Sequence, residues 1–223
     1  MSTLAFKDER GGLGEGRLAQ STYRALDVAI ALVALLVCLP VLLLAATAIR
    51  LEGGGPVIFR QRRLGRGKRM FTVHKLRTMT PAADPTVHRE YVQQLISGEE
   101  QTHGRDLFKL AADARVTRVG RVLRSTSLDE LPQLWDVLRG HMSVVGPRPV
   151  IPYEAELYPP EYDRRFTVKP GLTGLWQVNG RSERTYREMV ALDLAWVERR
   201  SLALYASIIL RTPWVLMRRR GAA

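Results

Sequence analysis

The hydrophobic pattern is dominated by an apolar run from Val28 to Ile49 that contains no charged residue. A bilayer core ~30 Å thick needs about 20 apolar residues in helical form, so this run is long enough to cross it. Pro40 falls near its centre. A proline there removes a backbone hydrogen bond and costs about 3 kcal/mol in an ordinary helix interior. Two arrangements fit the pattern. One is a proline-kinked spanning helix whose freed carbonyl finds another partner. The other is a re-entrant helix-break-helix, each half about 11 residues long and reaching ~16 Å, about half the core. Arg24 before the run and Arg50 after it suit a hairpin with both ends on one anionic leaflet. The basic residues downstream (Arg60, Arg62, Arg63, Arg66, Lys68, Arg69) equally suit a span with the C-terminal bulk inside. Pattern and charge leave both open. The run starts too late and lacks the cleavage pattern of a signal peptide.

Around this run the pattern divides the chain into a flexible polar tail over 1–22, a membrane segment over 23–52 and a domain over 53–223. After Gly53-Gly-Gly-Pro56, short strands are predicted at Val57–Phe59 and Met70–Val73 around the glycine turn Gly65-Arg-Gly67. Helices are predicted near Glu90–Ile96 and over 114–124, 129–139 and 183–199. Loops rich in Pro or Gly separate them at 146–152, 158–160 and 170–174. The last apolar segment, Ser201–Met217, is interrupted by Arg211 and Pro213 and followed by Arg218-Arg219-Arg220. It reads equally as an interfacial helix backed by basic side chains or as a core helix with a solvated tail. The expected fold class is α+β, mainly helical, with a few short strands.

Composition adds a partner class. With 223 residues and 46% hydrophobic content the chain can build a core, and a net charge of +12 calls for a polyanionic partner. Aromatics are only 7% and no nucleic-acid-binding motif is present, which argues against nucleic acid. Cys38, the single cysteine, excludes an intrachain disulfide and a cysteine metal cluster. Its apolar surroundings suggest a buried small hydrophobe.

The candidate chemistry centres on Asp129 and Glu130 in Arg124-Ser-Thr-Ser-Leu-Asp-Glu-Leu-Pro132. Pro132 cannot lie in a helix interior, so a helix here begins within about a turn before it. Ser127 or Asp129 is the natural N-cap, and Ser127-x-x-Glu130 reads as a capping box. Alone, that is an ordinary capped surface helix. Three other sets accompany it. Gly146-Pro147-Arg148-Pro149 is a stiff loop presenting an arginine suited to bidentate phosphate contact. Pro170-Gly-Leu-Thr-Gly174 leads to Trp176-Gln177-Val178-Asn179-Gly180-Arg181, glycine-punctuated and ending in another arginine. In His74-Lys75-Leu76-Arg77, strand alternation puts Lys75 and Arg77 on one face.

Together these stretches, with Pro56–Phe59, Lys75–Met79 and Met142–Pro149, resemble the bacterial sugar transferase family, the small monotopic phosphoglycosyl transferases. The resemblance covers about residues 23–215 in the right order. It implies transfer of a sugar 1-phosphate from a UDP-sugar to polyprenyl (undecaprenyl) phosphate with release of UMP, at the cytoplasmic face of the bacterial inner membrane. It assigns Asp129 the nucleophile's role through an aspartyl-phosphosugar intermediate, with Glu130 as its partner. Mg2+ is the implied cofactor, anchored by Asp129 and Glu130. Lys75, Arg77, Arg124, Pro147, Arg148, Pro149, Gln177, Arg181 and Asp193 are the implied substrate- and phosphate-binding positions, although Asp193 would equally pair with Arg187 or Arg200. The resemblance favours the re-entrant hairpin and leaves a homodimer open. Phosphoryl transfer is mainly positioning and charge neutralisation, which suits these cations. Departures from the family pattern are His141, Asp136 and Leu39. The rival from another class is a non-catalytic basic membrane adaptor, which has no use for an acidic pair between arginine loops.

Overall fold

A computed structural model describes residues 17–80, 93, 94, 96, 115–181 and 184–217. Its largest element is helix α1, Arg17–Gly53, 37 residues long. The helix begins before the expected membrane segment, so positions 17–22 of the anticipated tail belong to it. It also runs unbroken through Pro40, where a helix-break-helix was expected. The missing N–H removes one rung, and the Leu- and Ala-rich sequence on either side is strongly helix-forming. By length and composition, α1 is the one described helix able to cross a membrane.

Both ends of α1 pack on the domain while its middle does not. Tyr23 and Ala31 join the main core with Phe71, Val73, Val137, Met142 and Tyr205. At the far end Ala45 and Ile49 pack with Leu76 and Leu123. Between them Leu36, Val37, Leu39, Val41, Leu43 and Leu44 are exposed. Cys38 lies in this stretch and is only partly covered, so it is not the buried core residue anticipated.

Strands β1 (Ile58–Leu64) and β2 (Met70–Leu76) form an antiparallel hairpin in register from Ile58↔Leu76 to Leu64↔Met70. Both outrun their expected lengths. Helix α2, Arg118–Thr126, is capped by the Thr117 hydroxyl, which accepts from the Gly120 N–H. A Cβ at Gly120 would overlap the Thr78 backbone, so glycine lets α2 cross directly over the chain leaving β2. A 3-10 turn, Leu128–Glu130, and α3, Gln133–Leu138, follow. The expected 129–139 helix therefore starts later, with Pro132 as its N-cap.

The Gly146–Pro149 and Pro170–Gly174 stretches, both expected as loops, are joined by a second sheet. β3 (Ser143–Val145) runs parallel to β4 (Gly171–Thr173). Gly146 and Gly171 approach so closely that a Cβ on either would strike the other's backbone. Short helices α4 (Pro152–Ala155) and α5 (Leu175–Val178) flank this sheet, with a 3-10 stretch at Pro160–Thr167. Helix α6, Tyr186–Arg199, opens with a capping box between Thr185 and Glu188. Helix α7, Leu202–Met217, buries Tyr205 and Ile208 but exposes Leu202, Leu210, Trp214 and Met217. The two readings of this segment thus meet in one helix, with one side in the core and apolar side chains outside. The helix expected near Glu90–Ile96 and the arginines at 218–220 lie essentially outside the described residues. The fold is mainly helical with a few short strands.

Candidate active site

Helix α2 ends at Ser127, whose φ of 58° and ψ of 18° are left-handed. That conformation turns the chain sharply and lays Leu128–Glu130 against β2, with Leu128 packed on the Leu76–Leu123 cluster. The Ser127 side chain makes no cap bond, so the anticipated capping box is absent. The acidic pair is held instead across the fold. Glu130 Oε1 lies 2.8 Å from Lys75 Nζ, and Asp129 beside it is 7% exposed.

Arg181 reaches this turn directly, while the Arg148 loop is fixed by contacts of its own. Arg181, itself left-handed at φ 42°, places Nη2 3.5 Å from Ser127 Oγ. The Arg148 loop is pinned at each side. Gly146 N–H donates to the Thr173 carbonyl at 2.9 Å, Gly171 N–H to the Pro147 carbonyl at 2.8 Å, and Arg63 to the Pro149 carbonyl at 2.9 Å. Pro147 and Pro149 are buried on either side of Arg148. Arg63 is buried as well, and burial followed by repulsion from Arg148 lowers its guanidinium to about 9, against the attraction of Glu154 and Glu130. Its position on β1 puts it within the fields of both Glu130 and Arg148.

Behind Arg148 lies a buried network whose members other than Asp193 are absent from the sequence expectations. Arg148 N–H donates to Asp193 Oδ2 at 3.3 Å, and its guanidinium sits 3.5 Å from Glu154 Oε2. Asp193 pairs with Arg165 at 2.6 Å, not with Arg187 or Arg200. Tyr158 and Tyr186 donate their hydroxyls to Glu154 Oε1 at 3.0 and 2.9 Å, and Arg165 donates to the Tyr158 hydroxyl at 2.8 Å. Burial opposes ionisation of Glu154, but Arg148, Arg63 and Arg165 hold it below the usual carboxylate range. Burial pushes Asp193 up to about 6 against the pull of Arg165, which still leaves it ionised at neutral pH.

Other expected positions fall as follows. Arg77 donates to the carbonyls of Ile49 and Gly54, tying β2 to the end of α1 and away from the acidic pair. Arg124 is partly buried in the last turn of α2. Gln177 presents a buried Oε1 with no hydrogen-bond partner among the described residues. Asp136, one departure from the family pattern, is fully buried and receives both the backbone N–H (2.9 Å) and Nδ1 (2.7 Å) of His74. His141 faces the Phe71 ring at 5.9 Å, and Leu39 is exposed on α1. For a metal, Asp129 and Glu130 are adjacent hard-oxygen donors. No group of three metal-ligating side chains occurs among the described residues. Two carboxylates completed by phosphate oxygens and water is a donor set that suits Mg2+.

An acidic pair with a lysine on one member and an arginine at the turn that carries it has the charge arrangement of a site for phosphorylated ligands. The chain belongs to the bacterial sugar transferase family, whose pattern matches residues 18–219. It is 39% identical over 199 residues to the exopolysaccharide production protein ExoY of Sinorhizobium fredii, covering 89% of this chain and 87% of that one. It is 42% identical over 198 residues to a UDP-glucose:undecaprenyl-phosphate glucose-1-phosphate transferase of Caulobacter vibrioides, covering 85% of this chain and 67% of that one. It is also 39% identical over 201 residues to a UDP-galactose-lipid carrier transferase of Erwinia amylovora, covering 89% of this chain. There the chain spans only 41% of its relative's length.

Proposed function

We propose that this protein is a phosphoglycosyl transferase that moves a sugar 1-phosphate from a UDP-sugar to polyprenyl phosphate, releasing UMP. The observation that carries the reading is the buried Asp129 next to the Lys75–Glu130 pair, on a turn whose Ser127 is reached by Arg181. Relatives named for UDP-glucose, UDP-galactose and undecaprenyl phosphate support the donor and acceptor classes.

In this scheme an Asp129 oxygen attacks the phosphorus that bears the sugar. The bond from that phosphorus to the bridging oxygen breaks, and UMP leaves with the electron pair. The resulting acyl phosphate carries the sugar. A phosphate oxygen of the lipid then attacks the same phosphorus, the bond to Asp129 breaks, and the carboxylate is restored as polyprenyl-diphosphate sugar departs. A carboxylate is a competent nucleophile for such chemistry. Lys75 releases Glu130 to meet a substrate phosphate, and Arg148 and Arg181 neutralise the two phosphorylated substrates as they approach. Mg2+, held by Asp129 and Glu130, supplies charge neutralisation on the diphosphate when bound.

In this reading the UDP-sugar donor and the lipid acceptor meet at the cytoplasmic face of the plasma membrane. A re-entrant α1 is supported by its two anchored ends. Near the start, Asp27 accepts from Ser143 Oγ (2.9 Å), Val144 N (2.7 Å) and Tyr205 Oη (2.8 Å). Near the end, Glu52 accepts from the Arg118 and Val119 amides. With both ends on one body, entry of the exposed middle into one leaflet and its return call for a bend at Pro40, where the helix lacks one backbone hydrogen bond. The covalent scheme is tested by β-phosphate-labelled UDP-sugar, which labels wild-type protein before lipid is added and does not label Asp129→Asn. Label appearing only with lipid present overturns it. Cysteines placed at both flanks of α1 in a Cys38→Ala background label from the same side of the membrane; opposite sides reject the hairpin.

A further inference from the structure

A second basic cluster lies at the other end of the β1–β2 hairpin from the acidic pair. A cleft of about 830 Å³ opens between the hairpin tip and the end of α3, lined by Arg62, Arg66, Arg69, Arg139, His141 and Lys169. No carboxylate lines it among the described residues. Lys75 is four positions beyond Phe71 on β2, about 13 Å along a strand, so this cleft stands apart from the reaction centre.

The cleft differs from an ordinary solvated basic edge. Cations nearby are matched: Lys68 pairs with Asp163 at 2.7 Å and Arg164 with Glu198 at 2.9 Å. Arg62, Arg66, Arg69, Arg139 and Lys169 have no such partner among the described residues. Lys169 is partly buried, and desolvation followed by repulsion from Arg24 holds its ammonium below the usual lysine range. An anion entering here relieves charge that the fold leaves uncompensated.

Membrane-facing elements meet at the same corner. Arg24, four positions before the apolar run, donates to the last carbonyls of α3, Val137 and Leu138, at 2.5 and 2.6 Å. Its Nη2 and Lys169 Nζ both flank Gly140, each 3.7 Å from where a Cβ would stand. Arg24 also lines a shallow, mainly apolar groove along α1 with Ala25, Val28, Ala29 and Leu32. Arg200 stacks on Tyr23, 4.0 Å from the ring centroid, just before the apolar α7. The basic cleft and the apolar groove thus adjoin through Arg24.

We propose that this corner is a binding site for an anionic membrane phospholipid, with the phosphate headgroup in the Arg66–Arg139–Lys169 cleft and an acyl chain along the Val28–Leu32 side of α1. Basic pockets beside membrane helices recognise headgroups by this charge complementarity. A free phosphate offers the same charge but nothing for the apolar groove.

The test uses the purified full-length protein, stripped of lipid in a neutral detergent and titrated calorimetrically with dioctanoyl phosphatidylglycerol, dioctanoyl phosphatidylcholine or inorganic phosphate. Phosphatidylglycerol is expected to bind about tenfold more tightly than phosphatidylcholine, and Arg66→Gln/Arg139→Gln to lose about tenfold of that affinity. Arg121→Gln/Arg187→Gln removes the same charge from exposed positions elsewhere, and is expected to change binding less than about twofold. All four positions are exposed, and equal thermal midpoints show that folding is intact. Equal loss in both double variants overturns the proposal in favour of diffuse charge attraction. No preference over phosphatidylcholine, or inorganic phosphate binding as tightly as the lipid, overturns it as well.

Discussion

Two ion pairs of nearly equal length behave oppositely in this protein. Lys75–Glu130 spans 2.8 Å with side chains 26% and 34% exposed, whereas Arg165–Asp193 spans 2.6 Å with 1% and 0%. Water can cover either partner of the first pair when it opens, so Lys75 is free to exchange Glu130 for a phosphate oxygen. Separating the second leaves a bare charge in the interior, which costs far more than the pair itself contributes. In the proposed scheme the open pair, beside Asp129, is the one that meets substrate. The closed pair, with Glu154 and the two tyrosines, fixes the backbone and direction of Arg148.

The largest test of this division is Asp129→Asn, which keeps the side-chain shape and removes the proposed nucleophile. Release of UMP is expected to fall by about 10³-fold or more with the thermal midpoint essentially unchanged. Breaking the closed pair with Arg165→Met should do the reverse. Stability is expected to drop by about 3–5 kcal/mol in denaturant titrations, because Asp193 is left buried without its partner. A large loss of turnover per folded molecule with unchanged stability would show that Arg165 acts on substrate and not on shape.

A pH series sharpens the same point. Burial raises the Asp193 carboxyl from 3.8 to about 6, so between these values the folded protein holds a proton that the unfolded chain releases. The stability contributed by that proton is complete below the unfolded value and is lost as pH rises through about 6. The unfolding free energy of wild type relative to Asp193→Asn is therefore expected to fall by up to about 3 kcal/mol from about pH 4 to about pH 7. The smallest expected effect is Lys75→Gln, which lowers kcat for UMP release about a hundredfold by removing one charge from the phosphate site. Its stability cost stays under about 1 kcal/mol because the pair is solvent-open.

What the sequence disclosed follows the same divide. Asp129–Glu130, the Arg148 loop and the hairpin are local features, visible as short motifs or strand patterns. Ser-x-x-Glu before an apolar run has the form of a capped helix start, with Ser127 or Asp129 as N-cap. The left-handed conformation of Ser127 depends on Leu128 finding the Leu76–Leu123 cluster, a contact no local pattern reports. The β3–β4 pairing joins segments far apart in the chain and each only three residues long, too short for a periodic signal. The Arg165–Asp193–Glu154 network escaped for a related reason. Charged residues in helices normally face water, and only the packed fold shows these to be inside.

Glu52 gives this architecture its most practical meaning. The last turn of the membrane helix supplies the carboxylate that caps the first amides of α2, and α2 ends one residue before the turn that carries Asp129. The anchor is therefore not a detachable tether on a self-contained soluble unit. A truncation that begins after Gly55 strips the Glu52 carboxylate from the helix leading to Asp129, leaving Thr117 as its cap, and takes the carbonyl acceptors from Arg77, so modularity ends where the bilayer segment does.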